Sequence, residues 1–429
     1  MMKKINIITL GCSKNIYDSE LILGGLKKND FIIVDEPVDA DYVIVNTCGF
    51  LDSAREESID YILDVEELRK ANKIESLIVA GCMSERFAKD LKKELKYVDC
   101  YFGTDETSKI IEYICANEYA DYDPDFKRML LTPSHYGYLK ISEGCDNGCS
   151  FCSIPLMRGL QKSQPIEWNV QEAKRMVANG VKELLVIAQD STAYGWDLRP
   201  KVALSDLLYS LNEIEDLKWI RLHYSHPAHL QDKLINCFKN LDKLTPYIDM
   251  PIQHASNDVL RDMRRGLKID GIKRKIDKIR KINPDIAIRT SMIVGFPNEN
   301  DDDFLKLCNF IKDVEFDRLG VFVYSEEQGT HGADAFEDNV PYKIKKERLD
   351  ELMSIQQNIN FNKNKSLVGT IQEVVIDINT EDGKSIGRTF RDSPDIDNTI
   401  VIDRKLNIGE FYDVSISKCT NYSLIGKVS

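Results

Sequence analysis

Three apolar runs in the first hundred residues, KINIITLGC, ADYVIVNTC and SLIVAGC, each end in a cysteine: Cys12, Cys48 and Cys82. Their length and nearly unbroken apolar character match strands buried on both faces of a parallel sheet. The stretches that follow them, such as DSAREESIDYILDVEELRK, read as amphipathic helices. Such alternation constrains the amino-terminal part of the chain to an open α/β sheet. Parallel strands point one way, so three cysteines at their carboxyl ends lie on one edge, where sheets of this kind place ligands. Any one of these cysteines alone reads equally well as a small buried hydrophobe. Three at equivalent strand ends read instead as a metal site gathered from distant parts of the chain.

A second group is compact in sequence. EGCDNGCSFC, Glu143 to Cys152, holds Cys145, Cys149 and Cys152 in a C-x3-C-x2-C spacing with no fourth cysteine nearby. This differs from the paired C-x2-C of zinc ribbons and from the four-cysteine run of ferredoxins. Thiolates suit zinc or iron–sulfur clusters. If three of them hold a four-iron cluster, one iron keeps no protein ligand and can bind a small molecule and pass it an electron. The group follows the first of six strand candidates, GYLKISE, ELLVIAQD, WIRLHYSH, YIDMPIQH, IAIRTSMIVGF and RLGVFVYS, with helical patterns between them. Six β/α units suit a partial or full barrel, whose chemistry sits at the carboxyl ends of its strands. From Lys363 onward the pattern changes to short alternating runs between Gly, Asp and Asn turns, which reads as a small antiparallel β-barrel. A linker is expected around Pro124 to Pro133, giving domains over residues 1–122, 131–361 and 363–429.

Composition narrows the function classes. The chain is 43% hydrophobic and 30% charged, with no apolar run near the length of a membrane span. Its start reads as a first β-strand and not as a signal peptide, so a cytoplasmic location is expected. Disulfides do not persist in a reducing compartment, so clustered members of the eleven cysteines point to metal binding or catalysis. Cys100, Cys115, Cys237, Cys308 and Cys419 share no spacing and read as core or incidental. The net charge of −13 argues against nonspecific affinity for nucleic acid and favours a basic partner. His223, His226 and His229 in HYSHPAH receive no ligand role.

The cysteine spacing, with the aromatic Phe151 before the last cysteine, resembles the signature of the radical S-adenosylmethionine (SAM) superfamily. The resemblance implies that the open iron chelates SAM and that electron transfer to it yields a 5′-deoxyadenosyl radical. It implies SAM contacts from Phe151, from Gly295 in RTSMIVGFPNE and from Gln189 at the end of ELLVIAQD. With the strand-end trio and the terminal barrel included, the whole chain resembles the methylthiotransferase family. That resemblance implies an auxiliary 4Fe-4S cluster on Cys12, Cys48 and Cys82, a SAM-binding 4Fe-4S cluster on Cys145, Cys149 and Cys152, and a terminal TRAM domain. GCSKNIYDSE, NTCGFLDSAREESI, AQDSTAYG and RTFRDSPDID are similar to the branch that modifies the β-carbon of an aspartate in small-subunit ribosomal protein S-twelve. The other branch modifies a tRNA adenosine and typically has Gln-Met where this chain has Ser13-Lys14. From Lys363 on there are nine Lys and Arg against ten Asp and Glu, whereas a barrel gripping RNA should be clearly basic. A basic protein substrate is therefore expected, with no high-affinity nucleic acid binding. Asp392, Asp395 and Asp397 are candidate contacts to that substrate, although a solvated acidic turn explains them equally. An electron donor of the flavodoxin or ferredoxin kind is also implied.

Overall fold

The computed structural model describes residues 2–115 and 128–429. The expected end of the first domain, at residue 122, lies outside the described residues. The chain forms two compact units: Met1–Leu131 with Glu143–Asp146 and Ser153–Gln161, and Thr132–Ser142 with Asn147–Cys152 and Lys162–Ser429.

The first unit is built on the expected parallel sheet. Strands β1 (Lys4–Thr9), β2 (Ile32–Ile33), β3 (Tyr42–Thr47), β4 (Ser76–Gly81) and β5 (Cys100–Tyr101) stand in the order β2-β1-β3-β4-β5. The outer strands β2 and β5 have only two residues each, too short to show an apolar period in the sequence. Successive residues of β3 and β4 supply both faces. Val43, Val45, Leu77 and Val79 pack with Ile62 and Val65, while Ile44 and Ile78 pack with Ile22 and Leu26. The register pairs Thr9 with Asn46 and Thr47 with Gly81, so the three cysteine-bearing ends finish level. Helices α1 (Ser13–Lys28), α2 (Asp52–Lys70) and α3 (Cys82–Glu94) start from those ends.

The second unit carries six parallel strands: β6 (Tyr136–Lys140), then, past the small pair β7 (Ser142–Glu143) and β8 (Lys162–Ser163), β9 (Glu183–Ile187), β10 (Trp219–Leu222), β11 (Leu244–Asp249), β12 (Ala287–Val294) and β13 (Arg318–Val323). Their order β13-β12-β11-β10-β9-β6 follows the chain, and among the described residues the outer two strands do not pair, so the barrel is partial. The carboxy-terminal part of this unit is a closed five-stranded barrel of β14 (Ile371–Asn379), β15 (Ser385–Arg388), β16 (Thr399–Ile402), β17 (Phe411–Cys419) and β18 (Ser423–Val428). Its core is Val374, Ile376, Ile400, Ile402, Val414 and Ile416. All its pairings are antiparallel except β16 with β18, which run parallel.

The acidic turn of this barrel corrects an expectation. Asp392 and Asp397 do not face a partner: both side chains are buried, and the loop between β15 and β16 packs against residues of β10, β11, β12 and β13. Asp392 accepts from Nε of Arg318, the first residue of β13, at 2.9 Å. Asp397 accepts from the Tyr247 hydroxyl at 2.8 Å and lies 3.4 Å from Nε of Arg289. Ser393 bonds His223 at 3.1 Å, and Arg221 Nη1 donates to the carbonyl of Phe390 at 2.6 Å. Only Asp395 of the three stays exposed. The sequence shows the charges but not the arginines that neutralise them, and a charged turn with hidden partners looks solvated.

Candidate functional site

In the first unit the three strand ends bring Cys12, Cys48 and Cys82 onto one edge. Cys12 occupies the cap position of α1 in extended conformation, and its carbonyl accepts from the amides of Asn15 and Ile16. Cys82 is the first residue of α3, and Cys48 lies just ahead of α2. Helix amino-termini carry partial positive charge and favour thiolates. The loops touch closely. A Cβ on Gly11 would lie 2.7 Å from Cβ and 3.0 Å from Sγ of Cys48, and one on Gly49 would lie 2.9 Å from the Cys82 carbonyl. Burial pushes the Cys82 thiol up to about 12 and raises Cys48, while the Arg158 guanidinium opposes both shifts. Buried Cys48 and Cys82 are poor as free thiolates and good as ligands to a positive core. Among the described residues, Asp190, His226 and His229 place ligand atoms within 4.8 Å of one another.

Gly81 shows how tightly this edge is built. It has φ +93°, and a Cβ there would meet Asn46 Oδ1 at 2.4 Å and the Thr47 carbonyl at 2.6 Å. Gly81→Ala is expected to cost about 1–3 kcal/mol through backbone strain, read as a lower urea midpoint, and to reduce iron loading on reconstitution.

The second cysteine group occupies the loop after β6 and β7. Gly144, at φ +75°, brings the chain against the Leu160 carbonyl, and the Cys145 amide donates to Gly159 at 3.1 Å. Ser150 is braced from two sides: its amide donates to the Met263 carbonyl at 3.1 Å and its own carbonyl accepts from Gly332 at 2.6 Å. Arg265, buried after β11, donates from Nη1 to Cys149 Sγ at 3.1 Å and from Nη2 to the Pro251 carbonyl. Phe151 packs against the cluster of Val259, Met263, Phe296 and Tyr324. Gln189 follows β9, half-buried at the strand's carboxyl end. Gly295 has φ +71°, donates to Glu299 at 2.7 Å, and the space its side chain would need is filled by the Lys345 stem at 2.2 Å. Its glycine requirement therefore has a local cause.

Asn147, inside the cysteine loop, donates to Asp190 at 2.8 Å, and His229 Nδ1 bonds the same oxygen at 2.7 Å. Burial works against the Asp190 charge, yet the bonds from His229 and Thr192 hold its carboxyl at about 2. Burial, aided by the Arg265 charge, holds the His226 imidazole down at about 3. A separation of 2.7 Å between His229 and Asp190 is a hydrogen bond, too short for two ligands flanking one ion. The bond from His229 to Asp190 thus ties the loop after β10 to the loop after β9.

Family models match the chain in three segments: Uncharacterized protein family UPF0004 over residues 4–103, the Radical SAM superfamily over 139–311 and the TRAM domain over 368–428. Among curated proteins, "Ribosomal protein uS12 methylthiotransferase RimO" of Christiangramia forsetii is 44% identical, covering 99% of this chain and 94% of its own length. The protein of the same name from Clostridioides difficile is 42% identical over 100% of this chain and 99% of its own. The chain belongs to the RimO family. Solved structures agree in fold: the radical SAM methyltransferase TsrM from Kitasatospora setae aligns with a TM-score of 0.57 at 10% identity over 78% of this chain and 77% of its own. The cobalamin-dependent SAM radical enzyme OxsB aligns at 0.53 and 11% identity over 83% of this chain and 56% of its own.

In this RimO-family chain two buried cations escaped the sequence reading. Arg158 and Arg265 each lie against cysteines, one in the first trio and one in the second. The one available signal was an arginine set in the short apolar run IPLMRG directly after Cys152. Position alone does not tell which cysteines it serves.

Proposed function

We propose that this RimO-family chain is a radical SAM enzyme that adds a methylthio group to the β-carbon of an aspartate in ribosomal protein uS12. The observation that carries the reading is the pair of cysteine trios in a chain over 40% identical, along its length, to relatives named for that activity. Cys12, Cys48 and Cys82 would hold one 4Fe-4S cluster, and Cys145, Cys149 and Cys152 the other. When bound, such clusters supply an electron for SAM cleavage and sulfur for the substrate. Arg265 keeps a positive charge beside Cys149, and Ser150 fixes the loop that carries it. Phe151, Gln189 and Gly295 would border SAM, with Phe151 and Phe296 forming the apolar wall. An external one-electron donor of the flavodoxin or ferredoxin kind is required to start the reaction.

Charge supports a protein substrate. The first 131 residues hold 17 Lys and Arg against 26 Asp and Glu, and α2 exposes Glu56, Glu57, Asp60, Asp64 and Glu67. An acidic face steers a basic partner. The segment from Lys363 on, with nine basic and ten acidic residues, lacks the excess that RNA binding needs. No helix among the described residues is long and apolar enough to cross a membrane. The deciding experiment is mass spectrometry of uS12 and of tRNA from cells lacking the gene. Loss of the methylthio mass from uS12 with tRNA unchanged is expected; the reverse result would favour the tRNA adenosine reading.

A further inference from the structure

We infer that Arg158 is the positioning residue and charge partner of the Cys12–Cys48–Cys82 centre, raising the reduction potential of the cluster held there. The inference rests on the reading that this trio binds a cluster. The Arg158 side chain is 2% exposed. Its Nη1 donates to Asp18 at 3.0 Å and to Glu143 at 3.1 Å, and its Nη2 donates to Asn15 Oδ1 at 2.7 Å. Asn15 is itself fully buried and fixed: its Nδ2 donates to the Leu10 carbonyl at 2.7 Å and the Thr47 carbonyl at 2.9 Å, the backbone just ahead of Cys12 and Cys48. Its Oδ1 faces Cys82 Sγ at 3.9 Å. One asparagine therefore ties together the two strand ends, the third cysteine and the arginine.

This differs from a stabilising ion pair that happens to lie nearby. Buried Asp18 and half-buried Glu143 hold the guanidinium, while the thiol of buried Cys82, joined to it through Asn15 Oδ1, and that of exposed Cys12 lie within its field. Three thiolates outweigh the charge of an oxidised four-iron core, and each electron added makes the centre more negative. A buried cation with an N–H toward sulfur favours the reduced state, because charge and hydrogen bonding at the sulfurs set cluster potentials. Three fixed anchors mean the guanidinium need not reorganise when the electron arrives.

The test uses the full chain carrying C145A/C149A/C152A, so that only the first trio loads, followed by an EPR-monitored redox titration. Arg158→Gln is expected to keep four irons and shift the midpoint to more negative potential, with Arg158→Lys close to the parent. A parent-like midpoint in loaded Arg158→Gln overturns the inference. Should Arg158→Gln load no iron, normal loading and potential in Arg158→Lys still support a charge role, whereas equal failure of both reduces Arg158 to a structural brace and overturns it. No iron in the parent, with Arg158 intact, overturns the cluster reading and the inference with it.

Discussion

Cys149→Ala should abolish 5′-deoxyadenosine formation while leaving about half of the iron in the reconstituted protein. The second trio has no spare thiol within its loop, so loss of one ligand leaves two, too few to retain a cluster that normally needs three or four thiolates. The first trio, built on a separate sheet, keeps its own metal, and total iron should fall from about eight atoms to about four per chain. The variant also strips Arg265 of its sulfur contact at 3.1 Å, which leaves a buried guanidinium with the Pro251 carbonyl as a remaining acceptor. Cys82→Ala makes the reciprocal case: 5′-deoxyadenosine should still form, but uS12 should gain no methylthio group. Iron analysis with chromatography of the cleaved nucleoside separates the two. Equal loss of cleavage in both variants would refute the division of labour between the trios.

Much of this was legible in the chain because it depends on local pattern. Strand ends carrying Cys12, Cys48 and Cys82 were visible since buried parallel strands write continuous apolar runs, and parallel direction alone puts their ends on one edge. The five strands of the terminal barrel were likewise visible as alternating runs. Partner choice was not. Period-2 alternation reports that β16 and β18 are half-buried, not that they pair in parallel. Asp392 meets Arg318 across 74 residues and Asp18 meets Arg158 across 140, and no local rule links such positions. Buried ion pairs are the feature a single sequence hides best, since each member alone looks like surface.

The buried pairs therefore yield the largest stability effect expected outside the cysteines. Glu183, the first residue of β9, is fully buried between two arginines, accepting from Arg221 Nε at 2.7 Å and lying 2.5 Å from Arg388 Nη2 of the terminal barrel. Arg388 also lies 3.1 Å from Asp377, which bonds His135 at 2.8 Å. Glu183→Ala leaves two buried guanidinium groups short of their shared counter-charge, a change that costs about 3–5 kcal/mol. Trp219 packs edge-on against Phe411 with ring centroids 4.8 Å apart, so tryptophan emission should report loosening of the terminal barrel from the strand starts. The pH dependence has a definite sign. Burial opposes the Glu183 charge, but Arg388 and Arg221 prevail and hold its carboxyl below the usual 4.5. A depressed value in the folded state means the contribution is complete above pH 4.5 and fades as the pH falls through the lowered value. Urea midpoints of the parent and Glu183→Gln should thus differ most near neutrality and converge on acidification below pH 4.5. A gap that stays constant through that range would show that Glu183 acts by shape and not by charge.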